Sequence, residues 1–153
     1  MANYYGTGRS NYVKVKNEET FIKVVEQYGL LHKKDSEGRI AVISQQENGE
    51  TNDFIFVDDE NQFNELKQLG LVSKTAEYDD DTVELPEFTS FICSFLKDGE
   101  IMIWEHAGHE ANRYVSGYSV AFNNKNERVG VSLDEIYKKA TKKFKTTPTR
   151  AEY

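Results

Sequence analysis

Apolar residues recur with two different periods along this chain, and the order of those periods restricts the possible folds. Residues 12–16 (YVKVK) alternate apolar with charged side chains, which is typical of a half-buried strand. From Phe21 to Tyr28 the apolar residues fall at i, i+3, i+4 and i+7, which predicts a helix with one buried stripe. Asn17 is suited to cap this helix at its start and Gly29 to end it. Strand and helix patterns therefore follow each other within one short segment.

Two turn sequences predict antiparallel hairpins, one in each half of the chain. Residues 35–38 (DSEG) separate two strand patterns, and residues 123–126 (NNKN) separate two more. Because helix patterns interrupt these hairpins rather than alternating strictly with strands, the predicted class is α+β, with a mostly antiparallel sheet and about four helices packed on it. We expect a single domain at residues 1–145 and a flexible C-terminal tail at 146–153.

Three further helices are predicted from apolar stripes and from the residues that begin them. The first starts after Asp58 or Asp59 and follows a short apolar run that predicts a strand. Pro86 is suited to the first turn of the next helix, which we expect to continue to Gly99. The last helix follows residues 132–135 (SLDE), which match a capping box.

The formal charge of −7 is concentrated in the middle of the chain. Residues 47–87 contain 13 acidic side chains and two basic ones, a net charge of −11, whereas the other residues together carry +4. An acidic field of this kind repels a nucleic-acid backbone and attracts basic protein surfaces. The alternative interpretation is a well-solvated surface that has no partner.

Cysteine usage and hydropathy indicate the compartment. Cys93 is the single cysteine, so no intramolecular disulfide can form, and a reducing, cytoplasmic location is expected. The first residues lack the basic patch and apolar run of a signal peptide, and no stretch reaches the roughly 18 apolar residues of a membrane span. Cys93 lies beside a helical apolar stripe, where burial would make its thiol unreactive. We therefore expect a protein that is not an enzyme and has no cofactor.

The segment 105–110 (EHAGHE) is the one cluster whose residue types suit a metal ion such as zinc. Its histidines, His106 and His109, are three residues apart, whereas the zinc-protease motif needs a spacing of four on a helix. Gly108 lies between them and also disfavours a helix. We expect an exposed polar turn at a hairpin tip. The alternative is a metal-dependent hydrolase that uses His106 and His109.

The acidic residues of the middle segment are the strongest candidates for binding a partner. They flank one predicted strand and one predicted helix, and carboxylates that converge on one surface would resemble a line of phosphates. A DNA-binding enzyme would then contact them through its lysine and arginine side chains. The predicted contact residues are Asp58, Asp59, Glu60, Asp79, Asp80, Asp81 and Glu84.

A second candidate contact lies near the N-terminus. Tyr4, Tyr5, Arg9 and Tyr12 are close together in the sequence, around two glycines. Tyrosine and arginine are enriched at binding hot spots, so this arm could add a second contact. The alternative is an N-terminal arm tucked onto the domain without a binding role.

Basic residues near the C-terminus offer another alternative, which is direct binding of nucleic acid. Five lysines lie between positions 138 and 145, and such a run could contact phosphates. The negative overall charge disfavours this function. Lysines at the end of a helix also complement the helix dipole without any partner.

Both ends of the chain resemble a group of small, uncharacterised bacterial proteins carried on plasmids, integrative elements and phages. The resemblance lies in residues 2–16 (ANYYGTGRSNYVKVK), 114–122 (YVSGYSVAF) and 131–137 (VSLDEIY). It implies a mobile-element setting and no catalytic residues. Small acidic proteins in that setting often inhibit host-defence nucleases, as antirestriction and anti-CRISPR proteins do. We therefore expect a non-enzymatic acidic protein that engages a basic, nucleic-acid-handling protein such as a host nuclease or a CRISPR component.

Overall fold

The computed structural model describes residues 4–78, 82–110 and 114–149, which form eight strands, four α-helices and one 3₁₀ turn. In chain order these elements are β1 (Tyr4–Ser10), α1 (Glu18–Gln27), β2 (Leu30–Lys34), β3 (Ile40–Ser44), β4 (Phe54–Phe56), α2 (Glu60–Leu69), β5 (Thr82–Glu84), α3 (Phe88–Ile92), the 3₁₀ turn (Cys93–Phe95), β6 (Ile101–Glu110), β7 (Tyr114–Asn123), β8 (Arg128–Ser132) and α4 (Glu135–Phe144).

Six of these strands form one antiparallel sheet in the order β2-β3-β1-β6-β7-β8, and β4 pairs with β5 in a separate antiparallel ribbon. β1 lies inside the large sheet, where Tyr4 is opposite Glu110 and Ser10 is opposite Trp104 on β6. β6 and β7 form a long hairpin with every residue from Ile101 to Glu110 in register. The predicted α+β class with a mostly antiparallel sheet is confirmed.

The N-terminal segment is a strand within the sheet rather than an arm tucked onto the domain. Its two glycines are required because other parts of the backbone approach β1 closely. A Cβ atom at Gly6 would collide with the carbonyl oxygen of Asn48, and one at Gly8 would collide with the carbonyl oxygen of Gly49 and the ring of Trp104. A strand glycine often marks such an approach.

Several local predictions differ from the structure. The capping box expected at 132–135 is only partly formed, because α4 begins at Glu135 and its cap, Asp134, makes no side-chain hydrogen bond. Residues 12–16 form isolated bridges first to the start of β3 and then to the residue after the 3₁₀ turn, so they do not form one strand. The helix after Pro86 is α-helical only to Ile92. Beyond it, the Ser94 hydroxyl donates to a helix carbonyl at 2.9 Å, a competition that weakens helices. Residues 105–110 lie within β6 rather than at a hairpin tip, because they pair with both β1 and β7.

Capping residues begin and end the first two helices as predicted. The side chain of Asn17 accepts a hydrogen bond from the Thr20 N–H at 3.1 Å, and Asp59 accepts from the Gln62 N–H at 2.9 Å. α2 ends at Gly70, whose φ of +79° suits a residue without a Cβ atom. In the described part of the chain, none of the helices has the length and apolar character that crossing a bilayer requires.

The hydrophobic core lies on one face of the six-stranded sheet, the inner face, to which Leu30, Ile40, Met102, Trp104 and Phe122 contribute. Residues of α1, α2 and α3 belong to the same buried cluster, so these helices cover this face. Burial of the apolar side chains is the main stabilising contribution. The largest fully buried side chains are Tyr28, Phe21, Phe122, Leu30, Ile40, Leu66, Ile92, Leu96 and Met102.

The opposite face of the sheet, the outer face, has many exposed apolar side chains. Successive residues of a strand point to opposite faces, so the neighbours of buried core residues lie on this side. α4 differs from the other helices because none of its residues is buried. The exposed apolar residues of the outer face are Leu31, Ile101, Ile103, Val115, Val129 and Val131.

Candidate functional site

A groove of about 560 Å³ lies between the loop at residues 50–53, the segment before α3 and the β6–β7 hairpin. Four carboxylates line this acidic groove, and Arg128 is the one basic side chain in its lining among the described residues. Arg128 lies 3.7 Å from one of the four, Glu87. The four carboxylates are Glu50, Asp53, Glu84 and Glu87.

The loop that carries Glu50 and Asp53 is held in place by hydrogen bonds of Asn52. The Asn52 N–H donates to the carbonyl of Tyr28 at 2.9 Å, and its side-chain amide donates to the carbonyl of Gln27 at 3.2 Å. These contacts anchor the loop to the end of α1. These backbone and amide groups position the Asn52 end of the loop, whereas the Glu50 end also contacts β6.

The β4–β5 ribbon brings Glu84 to the groove, close to Asp53. Phe54 is opposite Glu84 in the ribbon, and the Leu85 N–H donates to the carbonyl of Asp53 at 2.8 Å. Within the described residues, neither Asp53 nor Glu84 forms an ion pair. These two carboxylates are therefore available to a basic group from outside the chain.

At the other side of the groove, Glu50 contacts a buried histidine. The His106 Nε2 lies 3.2 Å from Glu50 Oε1 and 3.0 Å from the carbonyl oxygen of Asn48. Because both of these atoms accept hydrogen bonds, we assign the proton to Nε2. The imidazole stacks with the rings of Tyr4 and Tyr118, whose centroids are 6.2 and 5.0 Å away. The buried Nδ1 has no hydrogen-bond partner in the described part of the chain.

The protonation of the groove side chains follows from their neighbours. Burial raises the pKa of the Tyr118 hydroxyl, and the Glu50 carboxylate adds to this effect, so the hydroxyl stays protonated and donates to Glu50 at 3.3 Å. Burial opposes ionisation of Glu87, but hydrogen bonds from Ser90 and Thr89 outweigh it and lower the pKa of this carboxyl. Glu87 is therefore ionised at neutral pH.

Two phenylalanines stand exposed beside the acidic groove. Phe54 and Phe56 lie on the same face of β4, are 53% and 70% exposed, and contact each other edge to face at 5.7 Å. Their neighbours Ile55 and Val57 pack towards the core. Exposed apolar groups clustered among polar ones often mark a binding surface.

The structure separates the predicted acidic contact residues into different positions. Glu84 lines the acidic groove. Asp58 and Glu60 are exposed at the start of α2, where Asp59 uses its side chain as the helix cap. Asp79, Asp80 and Asp81 lie outside the described residues.

The predicted aromatic contact residues do not share one surface. Tyr4 is on the inner face and stacks with His106, whereas Tyr5 and Arg9 are on the outer face. The Arg9 guanidinium pairs with Glu105 at 3.1 Å. Tyr12 is exposed after the end of β1. A partner contact at these four residues stays a prediction, and it would involve two opposite faces of the sheet.

The two histidines of the predicted metal cluster lie on opposite faces of β6. His106 is 5% exposed on the inner face, and His109 is exposed on the outer face beside Tyr5. Among the described residues, no group of three or more histidine, cysteine, aspartate or glutamate side chains is placed to hold a metal ion. This geometry does not allow His106 and His109 to bind one metal ion together.

The sequence placed all four groove carboxylates in the acidic segment 47–87, with Glu50 and Asp53 among the residues that would bind a partner if they converged, but it did not assign the two phenylalanines to a site. Glu50 and Asp53 are more than thirty positions from Glu84 along the chain, and only the fold brings them together. Residues 54–57 (FIFV) are a continuous apolar run without polar alternation, so the sequence contained no signal that Phe54 and Phe56 face outward.

Comparisons of the chain with protein-family models, with curated protein sequences and with solved structures each found no match. The resemblance to proteins of mobile elements stays a prediction. The geometry of the acidic groove and of the two phenylalanines is therefore the basis for a functional assignment.

Proposed function

We propose that this chain is a non-enzymatic binding protein whose acidic groove engages a basic, nucleic-acid-handling protein. The observation that carries the proposal is the convergence of four carboxylates on one groove that contains a single basic side chain in its described lining. Like charges grouped in this way repel each other, so a cationic partner would relieve an unfavourable interaction as well as form new ones.

Asp53 and Glu84 are the groups most suited to direct recognition. Since they form no ion pair within the described residues, a lysine or arginine of the partner would not have to displace an existing cation. At a surface, two opposite charges about 4 Å apart interact by roughly 4 kcal/mol before solvation costs. A guanidinium can also bond a carboxylate through two parallel hydrogen bonds. These two residues are therefore the expected centre of the electrostatic contact.

Phe54 and Phe56 would supply the apolar part of the same interface. Typical interfaces combine a buried aromatic anchor with a polar rim, and aromatic anchors contribute much of the binding energy. Phe54 follows Asp53 in the chain and is opposite Glu84 in the ribbon, and Phe56 is opposite Thr82. A partner that places basic residues in the groove would therefore cover the two rings.

The nucleic-acid-handling class of partner is proposed from the sign of the charge in the groove. Proteins that bind DNA or RNA present lysine and arginine side chains to phosphates. A groove lined by four carboxylates offers these side chains negatively charged oxygen atoms. With the resemblance to mobile-element proteins, a host nuclease or CRISPR component is the proposed target.

An enzymatic role for the buried histidine has less support. A general base needs a ring nitrogen within reach of a substrate. The Nε2 of His106 already faces Asn48 and Glu50, and its Nδ1 is buried. This pattern suits a structural histidine that fixes the Glu50 loop against β6.

Direct nucleic-acid binding through α4 stays an alternative. Lys138, Lys142 and Lys143 are exposed, whereas Lys139 pairs with Glu135 at 3.1 Å. A gel shift that weakens with salt and disappears on truncation after Ala140 would favour this alternative.

The test is capture of partners from a bacterial lysate by the tagged protein at low and high salt, with mass spectrometry of the captured proteins. The variant Asp53→Lys/Glu84→Lys should lose a basic partner that the parent chain retains at low salt. The control Glu19→Lys/Glu37→Lys changes the net charge equally at exposed sites on α1 and the β2–β3 turn. Equal capture by both variants, or equal loss by both, would contradict a role for the groove.

A further inference from the structure

Several large apolar side chains are exposed together on the outer face of the sheet. Its apolar side chains on β6, β7 and β8 have exposed fractions between 36% and 73%. Contiguous exposed apolar patches of this kind mark interfaces with other molecules. The side chains concerned are Ile101, Ile103, Val115, Val129 and Val131.

α4 is an amphipathic helix, but none of its residues is buried. Ile136 and Phe144 are both more than 60% exposed, and Leu133 just before the helix is also exposed. An isolated helix of ten residues is marginal in water, since its stability comes mainly from packing one apolar face. This helix therefore needs a surface to cover it.

The middle of the outer face has the shape to accept a helix. Ala107, Gly117, Ser119 and Ala121 are small residues on adjoining positions of β6 and β7. They form a shallow trough, and a cavity of about 420 Å³ lies over part of it, bordered by Leu133. Small residues let a helix approach a sheet closely, so larger side chains can enter the trough.

We propose that two copies of this chain form a two-fold dimer in which α4 of each copy packs on the outer face of the other. Each chain carries both the uncovered sheet face and the uncovered helix, so one two-fold contact satisfies both. Closed two-fold dimers are the commonest oligomers for this reason. The inference does not depend on the proposed function of the acidic groove.

The available area is also sufficient. Each copy contributes eight large apolar side chains that are 36–73% exposed. At roughly 100 Å² for a fully exposed side chain, covering the exposed part of all of them would bury on the order of 1,000 Å². That is about the apolar share of a standard interface of about 1,600 Å². The eight are Ile101, Ile103, Val115, Val129, Val131, Leu133, Ile136 and Phe144.

The sheet edge formed by β8 also favours an interface with another chain at this part of the molecule. β8 is the last strand of the sheet and pairs only with β7 among the described strands. Its sequence contains neither lysine nor proline, the residues that commonly protect exposed edges. A dimer centred on β8 and α4 would shield this edge as well.

The first test measures the molar mass of the purified full chain by light scattering over a wide range of concentration. We expect twice the mass of one chain. The variant Ile136→Ser/Phe144→Ser should raise the dimer dissociation constant by roughly a hundredfold or more. Leu31→Ser is the matched control, because Leu31 is similarly exposed on the same face but five strands away, roughly 24 Å at about 4.8 Å per strand. A monomeric parent chain at all concentrations would overturn the proposal.

A second test identifies which sheet each helix contacts. Ser119→Cys and Ile136→Cys chains are mixed and treated with a short thiol cross-linker, and the native Cys93 is buried and does not compete. We expect a covalent product that contains one chain of each kind. Absence of this product would overturn the proposal. A Ser119→Cys/Ile136→Cys chain that cross-links only within itself would also overturn it, since α4 would then cover its own sheet.

Discussion

The imidazole Nε2 of His106 lies 3.2 Å from a carboxylate oxygen of Glu50, although the first residue is in the middle of a strand and the second is in a distant loop. This contact connects the inner face of the sheet to the acidic groove. The stacked rings of Tyr4 and Tyr118 hold the imidazole in place. The position of one groove carboxylate therefore depends on the packing of a buried histidine.

Replacement of His106 should cost much more stability than replacement of His109. His106→Ala removes a buried ring and leaves a cavity between two tyrosines, which should lower the free energy of unfolding by about 3 kcal/mol. His109→Ala changes an exposed side chain on the other face of the same strand and should cost less than about 0.5 kcal/mol. Urea unfolding of the two variants measures the difference. Equal losses would show that His106 is not a packing residue.

Tyr28 and Tyr118 should make the fold lose stability at alkaline pH. Burial raises the pKa of both hydroxyls, and nearby Glu87 and Glu50 respectively add to this effect. The unfolded chain releases these protons near pH 10, whereas the folded chain retains them. Stability is therefore fully present below about pH 10 and is lost as the pH rises through the folded-state pKa values.

Urea unfolding at a series of alkaline pH values measures this loss. Tyr118→Phe should make the decline shallower, because one of the two linked protons is removed. In Glu50→Gln, the pKa of Tyr118, followed by phenolate absorbance, should fall towards its ordinary value. Stability that does not change above pH 10 would contradict the proposed linkage.

Local chemistry made the helix ends predictable from the sequence. Asn17 was identified as a cap, and the second cap was narrowed to Asp58 or Asp59, because a cap contacts backbone only a few residues away. The position of β1 was not predictable in this way, since it depends on β6, about a hundred residues later. Which of the acidic residues share one groove was not predictable for the same reason, because Glu50 and Glu84 become neighbours only in the folded chain.

The path of β6 through residues 105–110 shows how a long-range contact can override a local turn signal. The segment was expected to be a turn, but in the fold Gly108 lies in β6 and gives space to the Tyr4 ring, which would collide with a Cβ atom at this position. A glycine within a strand pattern indicates either a break or a close approach. Only the pairing of β1 with β6 distinguishes the two.

Asp58 and Asp59 both precede α2, but only the replacement of Asp59 should lower the free energy of unfolding appreciably. Asp59→Ala removes the helix cap and should lower the free energy of unfolding by about 1 kcal/mol. Asp58→Ala should change it by less than about 0.5 kcal/mol, because its carboxylate is exposed and is not the cap. Thermal unfolding of both variants measures the contrast. A larger loss in Asp58→Ala than in Asp59→Ala would contradict the assigned cap.

Gly6 should not tolerate a side chain. In Gly6→Ala, the added Cβ meets the Asn48 carbonyl oxygen, and the resulting shift of β1 or the loop should cost about 1–3 kcal/mol. Gly130→Ala is the matched control, since its Cβ would make only an ordinary contact of 3.5 Å with the Ser119 carbonyl oxygen. Both unfolding free energies are measured at one protein concentration. Equal unfolding free energies for Gly6→Ala and the control would contradict the close contact between Asn48 and β1.

The most direct test of the proposed function is the affinity of the purified chain for the basic protein that it captures, measured over a range of salt concentrations. The parent chain should bind more weakly as salt increases, because the contact is electrostatic. Asp53→Lys/Glu84→Lys should weaken binding by roughly a hundredfold at low salt and flatten the salt dependence, whereas Glu19→Lys/Glu37→Lys should bind nearly as the parent does. An unchanged affinity and salt dependence in Asp53→Lys/Glu84→Lys would contradict the account.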